Sequence, residues 1–144
     1  SMSISCHSFI RMAKLAEPLM QEGGSLMTLS YYGAEKVVDH YNVMGPVKAA
    51  LEASVRYLAH ELGRSSIRVN AISAGAVATR AASGIEHFDE LLNETVLKAP
   101  LRRTVESCEV GSAALMLASD YSSAITGETL HVDAGFHIEG MVFH

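Results

Sequence analysis

Ile67-Arg-Val-Asn-Ala-Ile-Ser-Ala-Gly-Ala-Val-Ala-Thr79 is the stretch that decides the fold. Its first part alternates, with Ile67, Val69, Ala71 and Ser73 on one side and Arg68, Asn70 and Ile72 on the other, which predicts a strand over Ile67 to Ser73. Ser73 to Thr79 follows as a run of small residues around Gly75. A strand ending in such a turn lets backbone N–H groups approach a ligand closely; a plain glycine turn is the alternative.

Upstream, apolar residues at Ala49, Leu51, Ala53, Val55, Leu58, Ala59 and Leu62 recur at helical spacing. They predict a helix with Asn42 as N-cap, Pro46 in the first turn and Gly63 as the stop. Ser25 to Ser30, after Gly23-Gly24, is a short apolar run suited to a strand buried on both faces. Tyr31 to His40 is a loop longer than an ordinary strand-to-helix link, and such loops tend to carry function. Ser3 to Gln21 carries an amphipathic stripe that Pro18 kinks or ends.

Downstream, residues 81–100 contain Phe88, Leu91, Leu92, Val96 and Leu97, one or two short helices forming a lid. Glu106 and Ser107 mark the start of a helix through Ala118, and Glu128 to Asp133 alternates as a third strand. The order is helix, strand, helix, strand, helices, strand. This is an α/β pattern with right-handed crossovers and a parallel sheet, whose ligands lie beyond the C-terminal ends of the strands.

With 144 residues, 49% hydrophobic and 19% charged, the composition is that of one globular domain. A net charge of −5 argues against a general nucleic-acid surface. Cys6 and Cys108 are too few for a zinc cluster or a disulfide scaffold, and the seven histidines show no ligand spacing, so no metal is assigned. Arg11, Lys14 and Glu17 interrupt the first apolar stretch, so neither a membrane span nor a signal peptide is expected and the location expected is cytoplasmic.

Tyr41-Asn-Val-Met-Gly-Pro-Val-Lys48 carries the candidate chemistry. If the chain is helical from about Asn42, an offset of seven residues puts Tyr41 and Lys48 on one face. The cation then favours the phenolate, making the hydroxyl a stronger donor to an oxygen that gains charge. By spacing alone such a pair is more often core packing beside a solvated charge, so its surroundings decide.

Those surroundings resemble one family. Leu29-Ser-Tyr-Tyr-Gly-Ala-Glu35, Tyr41-Asn-Val-Met-Gly45, Arg68-Val-Asn-Ala-Ile-Ser-Ala-Gly75, Ala82-Ser-Gly-Ile85, Pro100-Leu-Arg-Arg-Thr104 and His131-Val-Asp-Ala-Gly135 occur in order. Together they resemble the C-terminal half of an enoyl-acyl-carrier-protein reductase, a divergent branch of the short-chain dehydrogenase/reductase superfamily. Most of the superfamily spaces tyrosine and lysine by four residues; here Gly45 holds that position and Lys48 comes later, as in the enoyl reductases.

The resemblance implies a Rossmann-like doubly wound parallel sheet, of which these residues form the C-terminal half, three strands with flanking helices, without the N-terminal nucleotide-binding strands. It implies hydride transfer from NADH, with NADPH as the variant cofactor, to a trans-2-enoyl thioester on acyl carrier protein or coenzyme A. Tyr41 would hydrogen-bond the thioester oxygen, Lys48 would hold the nicotinamide ribose, and Tyr31 matches the family's second active-site tyrosine. Val77, Ala78, Thr79, Arg80 and Ala81 match the segment lining the nicotinamide, and Phe88 the substrate-binding loop. A homotetramer is implied, packed through the helices at 3–21 and 42–62.

Three departures bear on this. Ala76 replaces a proline, which implies a looser cofactor turn, and Pro46 implies a distorted helix beside Lys48. Glu86, Asp89 and Glu90 stand where some relatives carry basic residues, against docking of an acidic carrier there, with Arg102 and Arg103 as candidates for a compensating charge. No glycine-rich phosphate turn follows a first strand, so the 144 residues alone are expected to bind the dinucleotide weakly and to be inactive. The alternatives are another short-chain dehydrogenase or ketoreductase, and a non-catalytic oligomerising fragment.

Overall fold

A computed structural model describes residues 2–79 and 87–143. Ile67–Ala74 forms the central strand (β2), pairing in parallel with Gly24–Ser30 (β1) and Thr129–Val132 (β3). Helices Ser8–Ala16 (α1), Met44–Leu62 (α2), Phe88–Lys98 (α3) and Ser107–Ala118 (α4) separate or flank them. The predicted element order and the parallel α/β sheet are both present.

Register explains which side chains meet. Gly24 pairs with Ile67 through to Ser30 with Ser73, and Ala71 with Thr129 through to Ala74 with Val132. Paired residues share a face, so Ile67, Val69 and Ala71 join Leu51, Val55, Ala59 and Leu62 of α2 and Phe9 and Ala13 of α1 in the main core. Val55, Val69 and Ala71 are wholly buried.

The opposite face of β2 carries the buried Ile72 beside two bonded polar side chains, Arg68 and Asn70. Arg68 Nη1 donates to the Leu117 and Ser122 carbonyls at 3.0 and 2.8 Å and to Ser122 Oγ at 2.6 Å, while Nη2 donates to the Ser119 carbonyl at 3.2 Å. Asn70, wholly buried, donates to the Ile125 carbonyl and accepts from Glu128 N–H, both at 3.0 Å. These bonds fix the turn before β3 and hence the register of its end.

Three local expectations are corrected and one holds. β1 is not buried on both faces: it lies at the edge of the sheet order, and Leu29 is 55% exposed. Asn42 is not the N-cap, because it takes a left-handed φ of 51° and α2 begins at Met44 after Val43. Gly63 is the C-cap at which α2 ends, as expected, and a 3₁₀ turn over Gly63–Ser65 follows before Ser66 at φ 59°. Pro46 does not distort α2, since it sits in the first turn, where amide donors have no intrahelical acceptor.

Other boundaries fall where expected. The Ser3 to Gln21 stripe is helical through Leu19, as a π turn at Ser3–His7, α1, and a 3₁₀ turn at Glu17–Leu19 that contains Pro18. Glu106 caps α4 in a reciprocal box with Glu109. No helix among the described residues is long and apolar enough to cross a membrane.

Candidate active site

The C-terminal ends of β1 and β2 open into a cavity of about 440 Å³, within the range of small-molecule sites. Its walls come from Leu29 to Tyr31, from Val38 to Tyr41, from Ala74 to Val77 with Thr79, and from His87, Phe88 and Leu91. Tyr31, Tyr41, Val77, Thr79 and Phe88 are thereby brought together from four separate stretches of sequence. Ala78 is exposed and outside the lining, and Arg80 and Ala81 lie outside the described residues.

Glycine makes the tyrosine arrangement sterically available. A Cβ on Gly33 would stand 2.5 Å from Tyr41 Cδ2, so the phenol ring lies against bare backbone. Tyr31 then meets the same ring edge to face, centroids 5.1 Å apart at 60°. Gly45 lets the first turn of α2 approach the Gly33 carbonyl, which a Cβ would meet at 3.0 Å.

Both phenols hold their protons. Burial, then the neighbouring Tyr41 and Tyr32, push the Tyr31 hydroxyl up to about 12. Burial alone pushes Tyr41 up. The expected stabilisation of a Tyr41 phenolate by Lys48 is therefore corrected in sign: each hydroxyl is a neutral donor at physiological pH.

Lys48 is placed differently from the helical-offset expectation, because α2 begins at Met44 rather than near Asn42 and Tyr41 stands three residues before it. Its Nζ donates to the Leu29 carbonyl at 3.0 Å, and Lys48 is outside the lining of the tyrosine cavity. Burial lowers its ammonium, partly opposed by the Glu52 charge. Leu29 itself lines the cavity, so the amine is anchored to the back of its wall.

Two histidines that spacing did not flag also line the cavity. His40 and His87 stack at 4.3 Å and 12°, joining the loop before α2 to the start of α3, and His87 Nδ1 lies 3.3 Å from Glu90. Both have left-handed backbones, φ 66° and 65°, a conformation that side-chain periodicity does not reveal. Among the described residues no group of three or more His, Cys, Asp or Glu side chains is arranged to hold a metal.

The donor set suits the nicotinamide end of a dinucleotide. Ala74 to Val77 offers a wall of small side chains and backbone at the strand end, with the Thr79 hydroxyl beside it. Arg103, considered as a cation for a carrier, forms two bonds to Glu109 at 2.9 and 2.7 Å, and that pairing holds the Glu109 carboxyl down to about 2. Arg102 donates to the Leu97 carbonyl.

Comparison with known proteins bears on this geometry. A family model described as enoyl-(acyl carrier protein) reductase matches residues 1–137. An NADH enoyl-[acyl-carrier-protein] reductase of Rhizobium meliloti is 59% identical over 141 residues, 98% of this chain and 52% of that protein. A Bacillus subtilis relative of the same description is 54% identical over 136 residues, 94% of this chain and 53% of that protein. The crystal structure of the Anaplasma phagocytophilum enoyl-(acyl-carrier-protein) reductase in complex with NAD superposes with a TM-score of 0.94 at 61% identity, covering 98% of this chain and 54% of that one. The chain spans about half the length of the curated relatives it matches.

Proposed function

The chain belongs to the enoyl-(acyl carrier protein) reductase family, and on that premise we propose that its cavity takes the nicotinamide end of NADH and a trans-2-enoyl thioester side by side. The observation that carries this reading is the convergence of Tyr31, Tyr41, Val77, Thr79 and Phe88 on one cavity. NADH, when bound, supplies the hydride that adds to the thioester β-carbon. The electron pair of the C=C bond then moves toward the carbonyl, and the α-carbon takes up a proton.

Tyr41 donates its O–H to the thioester oxygen as that oxygen gains charge. A phenol whose proton is held by burial does this without ionising first. Tyr31 supports the ring from its edge and presents a second protonated hydroxyl to the same space. The ribose-binding role that the resemblance implies for Lys48 requires its Nζ to leave the Leu29 carbonyl and turn toward the cavity, whose lining it does not join here. Val77 and Thr79 receive the carboxamide, and Phe88 and Leu91, within the lid of residues 81–100, cover the acyl chain.

The wider reading rests on the family resemblance: the 144 residues form the C-terminal part of one Rossmann-type domain, in a cytoplasmic homotetramer that completes the fatty-acid elongation cycle. Asp89 and Glu90 near the lid, with Arg103 already paired to Glu109, favour a thioester carrier that docks away from α3.

By the same resemblance the adenine and pyrophosphate sites lie outside these residues. Calorimetric titration of the 144-residue chain with NADH is expected to show no micromolar site, while a polypeptide of the relatives' full length carrying these residues binds NADH and reduces crotonyl thioester. Micromolar binding by the 144 residues overturns the first expectation, and no reduction by the longer polypeptide overturns the function.

A further inference from the structure

Residues 31–43 carry both tyrosines, yet between β1 and α2 their regular structure is a single 3₁₀ turn at Tyr32–Ala34. The segment is held from outside by the end of β3. Tyr32 packs edge to face on Phe136, centroids 5.2 Å apart, and the Glu35 carboxylate lies 3.4 Å from His131 Nε2, a buried nitrogen that makes no hydrogen bond among the described residues and has this carboxylate as its close polar contact.

Strand register sets where that imidazole stands. Ser30 pairs with Ser73 and Ser73 with His131, so one polar row crosses the α2 face of the sheet at its C-terminal end. Glu52 of α2, 6% exposed, descends on this row. Burial and then the Glu35 charge raise the Glu52 carboxyl, while the Ser30 and Thr129 hydroxyls and His131 pull it the other way. Two carboxyl groups thus face one imidazole.

The His131 ring is itself braced. It stacks on His137 at 3.7 Å and 13°, and His137 Nδ1 lies 2.9 Å from Asp133 Oδ2. The Asp133 carboxylate also accepts the backbone N–H groups of Gly135 and His137, both at 3.0 Å. A rigid turn therefore fixes the face of His131 while Glu35 takes its edge.

We propose that Glu35 and His131 are positioning residues whose contact holds the 31–43 segment on the end of β3 and so fixes the separation of the Tyr31 and Tyr41 rings. The inference rests on the proposed function only for its catalytic consequence. Neither side chain touches the reacting atoms; both act through the tyrosines.

The test is ring-to-ring NMR contact between Tyr31 and Tyr41 in the ¹³C-tyrosine-labelled 144-residue chain. Glu35→Ala and His131→Ala are expected to abolish it, Glu35→Gln, which keeps an acceptor, to restore it, and amide protection of β1 and β2 to stay unchanged. Because Glu35 is a partly exposed loop residue, Glu35→Ala decides the matter even where His131→Ala fails to fold. An intact contact in Glu35→Ala, or its loss only together with strand protection, overturns the proposal. In the full-length polypeptide, Glu35→Ala is expected to lower kcat about tenfold with KM for NADH unchanged; equal kcat overturns the catalytic consequence. If the wild type reduces no thioester, the proposed function fails while the NMR result still stands for or against the contact.

Discussion

Tyr41→Phe is expected to lower kcat for crotonyl thioester reduction by about 10²–10³, the usual cost of removing one preorganised donor to an oxyanion. KM should change little, because the interaction strengthens as charge develops on the oxygen rather than on binding. Phenylalanine keeps the ring, so its seat against Gly33 and its edge contact with Tyr31 survive and the fold is not the cause of the loss. Following NADH oxidation at saturating thioester in the full-length polypeptide reads the effect directly. Turnover within a few-fold of wild type would remove Tyr41 from the chemistry.

The largest structural effect is expected at Asn70. Asn70→Ala leaves the Ile125 carbonyl and the Glu128 N–H without their buried partner, a loss of about 3 kcal/mol, or roughly 10 °C in Tm for a domain of this size. Asn70→Asp keeps the acceptor for Glu128 N–H but loses the donor to Ile125 and buries a charge, so it should be no better. Thermal unfolding of both variants checks this. The consequence reaches the site, because these bonds set the register in which β3 presents His131 and Asp133. A Tm within about 2 °C of wild type for Asn70→Ala would mean the turn before β3 is held by other bonds.

The frame was legible because its signals are local. Alternation at Ile67 to Ser73 and the helical stripe from Ala49 to Leu62 each name one element, and strand–helix–strand order implies a parallel sheet. The convergence of Tyr31, Tyr41 and the Gly75 turn follows from that topology, since all three lie beyond strand ends.

What the sequence did not reveal depends on backbone handedness and on pairs distant in the chain. With left-handed φ values at His40 and Asn42, α2 starts at Met44 rather than near Asn42, and Lys48 donates to the Leu29 carbonyl. The sign of the tyrosine shifts depends on burial, which residue spacing does not report. Glu35 and His131 both sit in the family motifs, but only strand register brings them together.

The shared tyrosine cavity is tested most directly by titrating crotonyl pantetheine thioester into the full-length polypeptide, ¹³C-labelled at tyrosine and loaded with NAD⁺, which donates no hydride. The Tyr31 and Tyr41 ring signals are expected to shift together and saturate, while those of Tyr57 and Tyr121, 77% and 94% exposed in this chain and remote from the cavity lining, stay in place. Unmoved Tyr31 and Tyr41 signals at saturating thioester would contradict the account.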